Sequence, residues 1–213
     1  MKLLISPAKK MREDTDFLPP KSVPALLERS RVLAEWLKGL DYPALKKLLS
    51  CNDAIAKLNF RRYQEMDFGR APTPALLSYD GIQYQYMAPQ LFTRAQFAYV
   101  EEHLRILSGL YGVLRPFDGV APYRLEMGAR LSVDGCRDLY AFGGEKLARA
   151  LAGESGWVLD LASKEYSRAV LPHLPPSVRV VSCVFGELRP DGKVVEKGTL
   201  GKMARGEMVR WLA

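Results

Sequence analysis

Arg124 and Glu126 stand two residues apart in the segment from His103 to Arg130, HLRILSGLYGVLRPFDGVAPYRLEMGAR. On an extended chain that spacing sends both side chains to one face. A guanidinium beside a carboxylate can hold a phosphate and supply an acid or base. Upstream, Gly109 and Gly112 bracket Leu110-Tyr111, so the backbone can turn tightly or lie close to a neighbour. Arg115 follows that turn, and glycine turns with guanidinium groups nearby suit phosphates. Ser6-Pro7-Ala8-Lys9-Lys10 follows the apolar run Lys2 to Ile5 directly, and side chains at a strand's end commonly face a cleft. Lys9 therefore reads as an anion-holding cation, as an amine nucleophile if its pKa were depressed, or as part of a solvated basic turn. Lys202 and Arg205 are three apart in a helical pattern and share a face. The expectation is that Lys9, Arg124, Glu126, Lys202 and Arg205 converge on one concavity. The plain alternative is a structural Arg–Glu pair with cations on a helix surface.

A second candidate is Leu48 to Tyr63, LLSCNDAIAKLNFRRY, which has the outline of a helix-hairpin-helix carrying Lys57, Arg61 and Arg62. That motif grips duplex phosphates through backbone N–H groups and cations without reading bases. The usual paired glycines are absent from its hairpin. The SGLYG turn has the glycines, but Pro116 limits any helix after it. Ordinary packed helices and a structural turn remain the alternative for both. His103 and His173 are the only histidines, and neither has a cysteine or carboxylate at ligand spacing, so no metal site is expected. No G-x-x-x-x-G-K-[ST] or G-x-G-x-x-G motif occurs, so no nucleotide cofactor is expected. No Ser/His/Asp constellation stands out, and binding is read ahead of catalysis.

The elements that must position these residues follow from periodicity. Lys2 to Ile5 reads as a short buried strand, and residues 10 to 23 as a proline-rich surface loop. Pro24 to Lys38 has an apolar stripe of Leu26, Leu27, Leu33, Ala34 and Leu37 and ends at Gly39, the pattern of an amphipathic helix. Pro43 to Leu49 reads as a second helix, and Asn52 caps a third that runs to about Glu65. Residues 66 to 90 are mixed, with Pro72, Pro74 and Asp80-Gly81 as breakers. Thr93 with Gln96 is a capping box that opens a helix to about His103. Asp138 to Ala152 returns to helical period. Trp157 to Leu161 reads as a strand, and Ser163 as the cap of the next helix. Val178 to Leu188 is a long β-branched run, and Pro190-Asp191-Gly192 turns it back into Lys193 to Glu196 as a hairpin. Leu200 to Trp211 is helical. This predicts a mixed α+β fold, a single compact domain in which helices and strands interleave irregularly, with a C-terminal β-hairpin followed by a helix.

Composition bounds the function. The chain has 213 residues, 48% of them hydrophobic and 26% charged, as in an ordinary globule with a sizeable core. No apolar run approaches the roughly 18 residues of a membrane span. The N-terminus lacks the apolar stretch of about 7 to 15 residues of a secretory signal. A cytoplasmic protein with no membrane partner is expected. Cys51, Cys136 and Cys183 are far apart and form no C-x-x-C pair, which argues against disulfides and a cysteine zinc site. Cys183, inside VVSCVF, reads as a core residue. The net charge of +7 permits a polyanionic partner without demanding one.

The run SGLYGVLRPFD followed by PYRLEMG resembles the YaaA family, bacterial proteins linked to the response to peroxide stress. LLISPAKK is similar to the family's N-terminal ISPAK, DLASKEY at 160–166 to its N-L-A-S-x-E-Y, and KMARG at 202–206 to its K-x-A-R-G. The motifs stand in family order and span residues 3 to 206. Asp160 replaces the usual Asn, Gly143 follows Phe142 where an aromatic is expected, and the chain reaches Ala213 inside an apparent helix. The expectation is a YaaA-like domain over 1–213 that lacks the family's C-terminal segment. The resemblance implies survival of hydroperoxide stress, a role in limiting free intracellular iron, and largely sequence-independent DNA binding through a basic cleft. The site residues so assigned are Lys9, Lys10, Lys57, Arg61, Arg62, Gly109, Gly112, Arg115, Arg124, Glu126, Lys202 and Arg205. The alternative is an enzyme acting on a nucleotide or another phosphorylated small molecule in a Lys/Arg/Glu pocket.

Overall fold

The computed structural model describes residues 1–152 and 156–213. The chain begins with β1 (Lys2–Ile5), whose leucines and isoleucine are completely buried, and a two-residue β2 (Lys10–Met11). Three helices follow: α1 (Leu27–Lys38), α2 (Tyr42–Leu49) and α3 (Asp53–Gln64). Asp41 and Asn52 cap α2 and α3 by accepting from Ala44 and Ile55 N–H. The proline-broken stretch folds as β3 (Thr73–Pro74), α4 (Ala75–Ser78), β4 (Tyr79–Asp80) and α5 (Ile82–Met87). The capping box of Thr93 and Gln96 forms as expected and opens α6 (Arg94–His103).

The glycine-rich centre supplies β5 (Leu104–Ser108), β6 (Gly112–Leu114) and β7 (Gly119–Val120). After it come α7 (Leu139–Ala152), kinked at Gly144, then β8 (Trp157–Asp160) and the short α8 (Lys164–Ser167). Ser163 stands at the cap position of α8 but makes no cap hydrogen bond. Its side chain instead turns to the β1 end, where the Ser163 hydroxyl accepts from Ser6 Oγ at 3.2 Å and the Ser163 N–H donates to Ser6 Oγ at 2.9 Å. The run Val178 to Leu188 is not one strand. It divides into β9 (Arg179–Ser182), which joins the sheet beside β8, and β10 (Gly186–Leu188), which forms a hairpin with β11 (Val194–Glu196). The break follows the bond from Cys183 N–H to Asp160 O, after which the chain leaves the sheet. The last helix is α9 (Gly198–Leu212).

The main sheet has the order β6-β5-β1-β8-β9. β1 pairs in parallel with β5 and β8, and β9 runs parallel to β8, whereas β6 is an antiparallel edge. The fold is mixed α+β, as the sequence predicts. No helix among the described residues is long and apolar enough to cross a membrane. The consequence for function is directional. The chain leaves β1, β5 and β8 at one end of the sheet, with Ser6, Gly109 and Leu161, and in parallel sheets that carboxyl end is where ligands usually bind.

Candidate functional site

A cleft of about 370 Å³ opens beyond the carboxyl ends of β1 and β8. Its lining comes from separate stretches of chain: residues 6–10 after β1, 80–84 at the start of α5, the strap 123–126, residues 163–166 around α8, and Lys202 and Arg205 of α9. Lys9, Arg124, Glu126, Lys202 and Arg205 thus line one concavity, as expected from the sequence, and Lys10 joins them.

Close backbone contacts set this convergence. A Cβ on Gly109 would lie 2.4 Å from Leu125 O, so only glycine lets the end of β5 meet the strap between Arg124 and Glu126. Tyr63 Oη donates to Arg124 O at 2.8 Å and fixes the strap from the α3 side. A Cβ on Gly81 would lie 2.9 Å from that of Ala8, so the Ser6–Lys10 loop rests on the start of α5. On α9, a Cβ on Gly206 would lie 2.1 Å from Gln83 O and 2.9 Å from Met87 N. Gly206 lets α9 press against α5, and that contact brings Lys202 and Arg205 over the cleft.

Five cations face three carboxylates, Asp80, Glu126 and Glu165. Glu126 receives Lys9 at 2.7 Å and Arg124 at 3.1 Å, and Lys10 reaches Asp80 at 2.6 Å. The Lys10 hydrogen bond holds the Asp80 carboxyl below the usual aspartate range. Arg205 pairs with Glu196 of the hairpin at 3.4 Å, whereas Lys202 is exposed and has no ion pair among the described residues. The Nε–H groups of Arg124 and Arg205 are buried without an acceptor. Lys9 keeps 62% of its side chain exposed, so it lacks the apolar enclosure that activates an amine nucleophile. The cleft can hold an anion, with Glu126 poised between two cations as a candidate acid or base.

The floor is aromatic. Tyr84 Oη donates to Ser6 O, and the hydroxyls of Tyr79, Tyr123 and Ser108 form a buried chain at 3.0 and 2.6 Å. Burial raises the phenol pKa of Tyr79, Tyr84, Tyr123 and Tyr166, so all four stay protonated at neutral pH. Ser163 N–H donates to Ser6 Oγ at 2.9 Å, and Glu165 Oε1 accepts from Gly128 N–H at 2.9 Å. Asp160, where the resemblance leads one to expect asparagine, is buried and accepts from Ser167 Oγ, Ser182 Oγ and Ala162 N–H. Its charge is met by local donors and does not face the cleft.

The remaining sequence candidates lie elsewhere. Gly112, at φ +77°, needs glycine for its backbone, and it packs against Leu147 and Leu26. Arg115 sits at the opposite end of the sheet, beside Lys2, Lys21 and Arg105, because antiparallel β6 carries the chain there. Lys57 and Arg61 are exposed on α3 and do not line the cleft, and Arg62 turns inward to donate to Met11 O at 3.1 Å. At the α2–α3 hairpin, Asp53 accepts from Tyr42 Oη at 2.8 Å and Lys46 Nζ at 2.6 Å. Cys183 is half-buried rather than a core residue, and burial raises its thiol pKa, which disfavours the reactive thiolate. Asp80 and Glu165 also line the cleft, and neither carries a local functional signal. Asp80-Gly81 has the pattern of a chain breaker, and Glu165 lies within DLASKEY with no partner nearby in sequence.

The family described as "Peroxide stress protein YaaA" matches residues 1–213. A UPF0246 protein of Desulfitobacterium hafniense is 55% identical over 213 residues, which are all of this chain and 84% of the relative. UPF0246 proteins of Pediococcus pentosaceus and Lachnoclostridium phytofermentans are 50% and 49% identical, again across the whole chain, with 84% and 83% of their own lengths covered. The residues that build the cleft lie throughout that matched length, and the chain belongs to the YaaA family of peroxide stress proteins.

Proposed function

We propose that this chain serves peroxide defence by binding DNA through the cleft, with one nucleotide unit of the strand seated among Lys9, Arg124, Lys202 and Arg205. One observation carries the reading. Cations from three separate segments of the chain meet in a single concavity, and Lys202 has no counter-ion among the described residues. Five cations against three carboxylates leave the lining with an excess of positive charge, and a concave site of that kind is the usual footprint of phosphate recognition. No base-reading helix lies among the lining residues, so binding is largely independent of sequence. The limiting of free iron has no support in the cleft. Among the described residues no three His, Cys, Asp or Glu side chains cluster to hold a metal. Any effect on iron is assigned to what DNA binding brings about.

The test is binding of duplex, single-stranded and branched DNA at two salt concentrations. Affinity should fall steeply with salt and vary little with sequence. Binding indifferent to salt, or absent at low salt, would sink the proposal.

A second reading has its own support. The cleft volume of about 370 Å³ lies in the small-molecule range, and Glu126 sits between two cations. An enzyme acting on a free nucleotide or another phosphorylated small molecule would use that carboxylate as acid or base. Turnover of a nucleotide that is abolished by Glu126→Gln, with no affinity for DNA, would favour it.

A further inference from the structure

Next to the cleft lies a shallow groove lined by Gly128, Ala129, Arg130, Arg137, Tyr140 and Arg168, together with Asp138. The two concavities share a wall. Glu165, which lines the cleft, accepts from the N–H of Gly128, which lines the groove, and Tyr140 Oη donates to Glu165 O at 3.1 Å. The strap that carries Arg124 and Glu126 into the cleft turns at Glu126–Ala129 and carries Arg130 into the groove. Arg130 is exposed and has no ion pair among the described residues. Arg137 is 89% exposed and 3.5 Å from Asp138. The Arg168 guanidinium lies 4.0 Å from the Tyr140 ring centroid, and Arg168 is itself exposed.

This layout alternates in character. Cations line the cleft, a carboxylate held by a backbone N–H forms the saddle, and a second set of guanidiniums lies beyond it. A lone phosphate uses only the first set. A single nucleic-acid strand alternates in the same way, with charged phosphates separated by neutral sugars and bases. A guanidinium already lying over an aromatic ring offers its other face for base stacking, which is how sequence-tolerant single-strand sites gain affinity. A duplex keeps its bases stacked inside and cannot use that face. We propose that the preferred ligand is single-stranded DNA. One nucleotide seats its phosphate in the cleft, the strand crosses Glu165 by its sugar and base, and a later phosphate meets Arg130, Arg137 and Arg168. This rests on the DNA reading of the cleft.

The experiment measures binding of the whole protein at low salt to four probes: thymidine monophosphate, a thymidine hexanucleotide, a uridine hexanucleotide and a six-base-pair duplex closed covalently at both ends so that it does not melt. The proteins are the wild type, Lys202→Ala and the double variant Arg130→Ala/Arg168→Ala. The hexanucleotide should bind at least about tenfold tighter than either the monophosphate or the duplex. The double variant should lose that advantage while its affinity for the monophosphate stays unchanged, and Lys202→Ala should weaken both. Equal or tighter binding of the duplex overturns the inference. So does a double variant that keeps the full hexanucleotide advantage, or one that loses monophosphate and hexanucleotide affinity alike. The cleft reading fails separately, and takes this inference with it, if the monophosphate does not bind and hexanucleotide binding ignores Lys202→Ala. A ribonucleotide hexamer bound more tightly than the thymidine one reassigns the strand to RNA and overturns the DNA assignment.

Discussion

The two ends of the central sheet carry comparable numbers of lysines and arginines and use them in different ways. At the amino end, Lys2 donates to Glu102 O at 2.6 Å, Lys21 pairs with Glu101 at 2.5 Å, and Arg105 donates to Leu104 O at 2.6 Å. Those cations answer the protein's own carbonyls and carboxylates, and they hold α6 and the Lys21–Ser22 loop to the sheet. At the carboxyl end, Lys9, Lys10, Arg124 and Arg205 also meet carboxylates, but they come from separate segments around one cleft, and Lys202 beside them has no ion pair among the described residues. Basic residues do not make a site by number. What separates the two ends is that cations from separate segments converge on one cleft at the carboxyl end, and that one of them, Lys202, has no ion pair among the described residues. Gly109 and Gly112, three residues apart, divide along the same line. The first supports the strap beneath the cleft, whereas the second packs under α1 and α7.

Substituting those glycines gives the largest expected effects. Gly109→Val places its Cβ against a backbone carbonyl that cannot step aside, at a predicted cost of about 3 kcal/mol or more. It should also displace Arg124 and Glu126, so whatever protein remains folded binds DNA poorly. Gly112→Val meets two leucine side chains that can shift, but it also forces a left-handed backbone on a β-branched residue, at a predicted cost of roughly 1–3 kcal/mol. Its folded fraction should bind normally. Chemical denaturation together with affinity measured on the folded fraction separates the two. A folded Gly112→Val protein that cannot bind would break the comparison. Next in size is Lys202→Ala, expected to lose about tenfold in affinity at low salt with stability changed by less than about 0.5 kcal/mol.

Much of the fold was legible because local signals agreed with the final structure. The capping box at Thr93, the cap at Asn52, and the Pro190-Asp191-Gly192 hairpin were readable because each is completed within a few residues. The cap at Asp41 is equally local, but the sequence expectation began that helix at Pro43 and named no cap for it. The strap Arg124–Glu126 was legible from its two-residue period. The direction of β6 was not. Arg115 follows the same glycine turn as the site residues, and only the antiparallel pairing of β6 with β5 shows that it leaves toward the far end of the sheet. Glu165 and Asp80 were hidden for a related reason. Their roles come from partners distant in sequence, Gly128 and Lys10, which no local pattern names.

Acid titration tests the comparison through two aspartates of opposite sign. The Lys10 hydrogen bond lowers the pKa of Asp80, in the cleft. Its contribution to stability is present above the ordinary aspartate value of about 4 and is lost as pH falls through the lowered folded value. Burial raises the pKa of Asp118, behind Arg115, although Ser22 Oγ and Arg115 N–H both donate to it. Its contribution is fully present below about pH 4 and is lost as pH rises through the raised folded value. Lys10→Ala should reduce the loss of stability on acidification, and Asp118→Asn should reduce the loss on the return to neutral pH. Carboxyl-carbon NMR should show Asp118 titrating well above Asp80. The reverse order would mean that the cleft, not the amino end, is the desolvated region.

The smallest expected effect is the most discriminating. Arg115→Ala removes a fixed positive charge from the same glycine–arginine segment that points to phosphate binding. If that segment were itself a phosphate cradle, the substitution should cost affinity much as Lys202→Ala does. The fold argues otherwise. The main-chain N–H of Arg115 donates to Asp118 Oδ2 at 2.8 Å, a bond that the substitution preserves, and the side chain sits at the amino end of the sheet, away from the cleft. The prediction is unchanged affinity for every DNA probe at low salt. Stability should fall by no more than about 1 kcal/mol, the scale of an exposed ionic contact. A loss of affinity equal to that of Lys202→Ala would place ligand at both ends of the sheet. The contrast between internally satisfied and converging cations would then be the wrong division of this molecule.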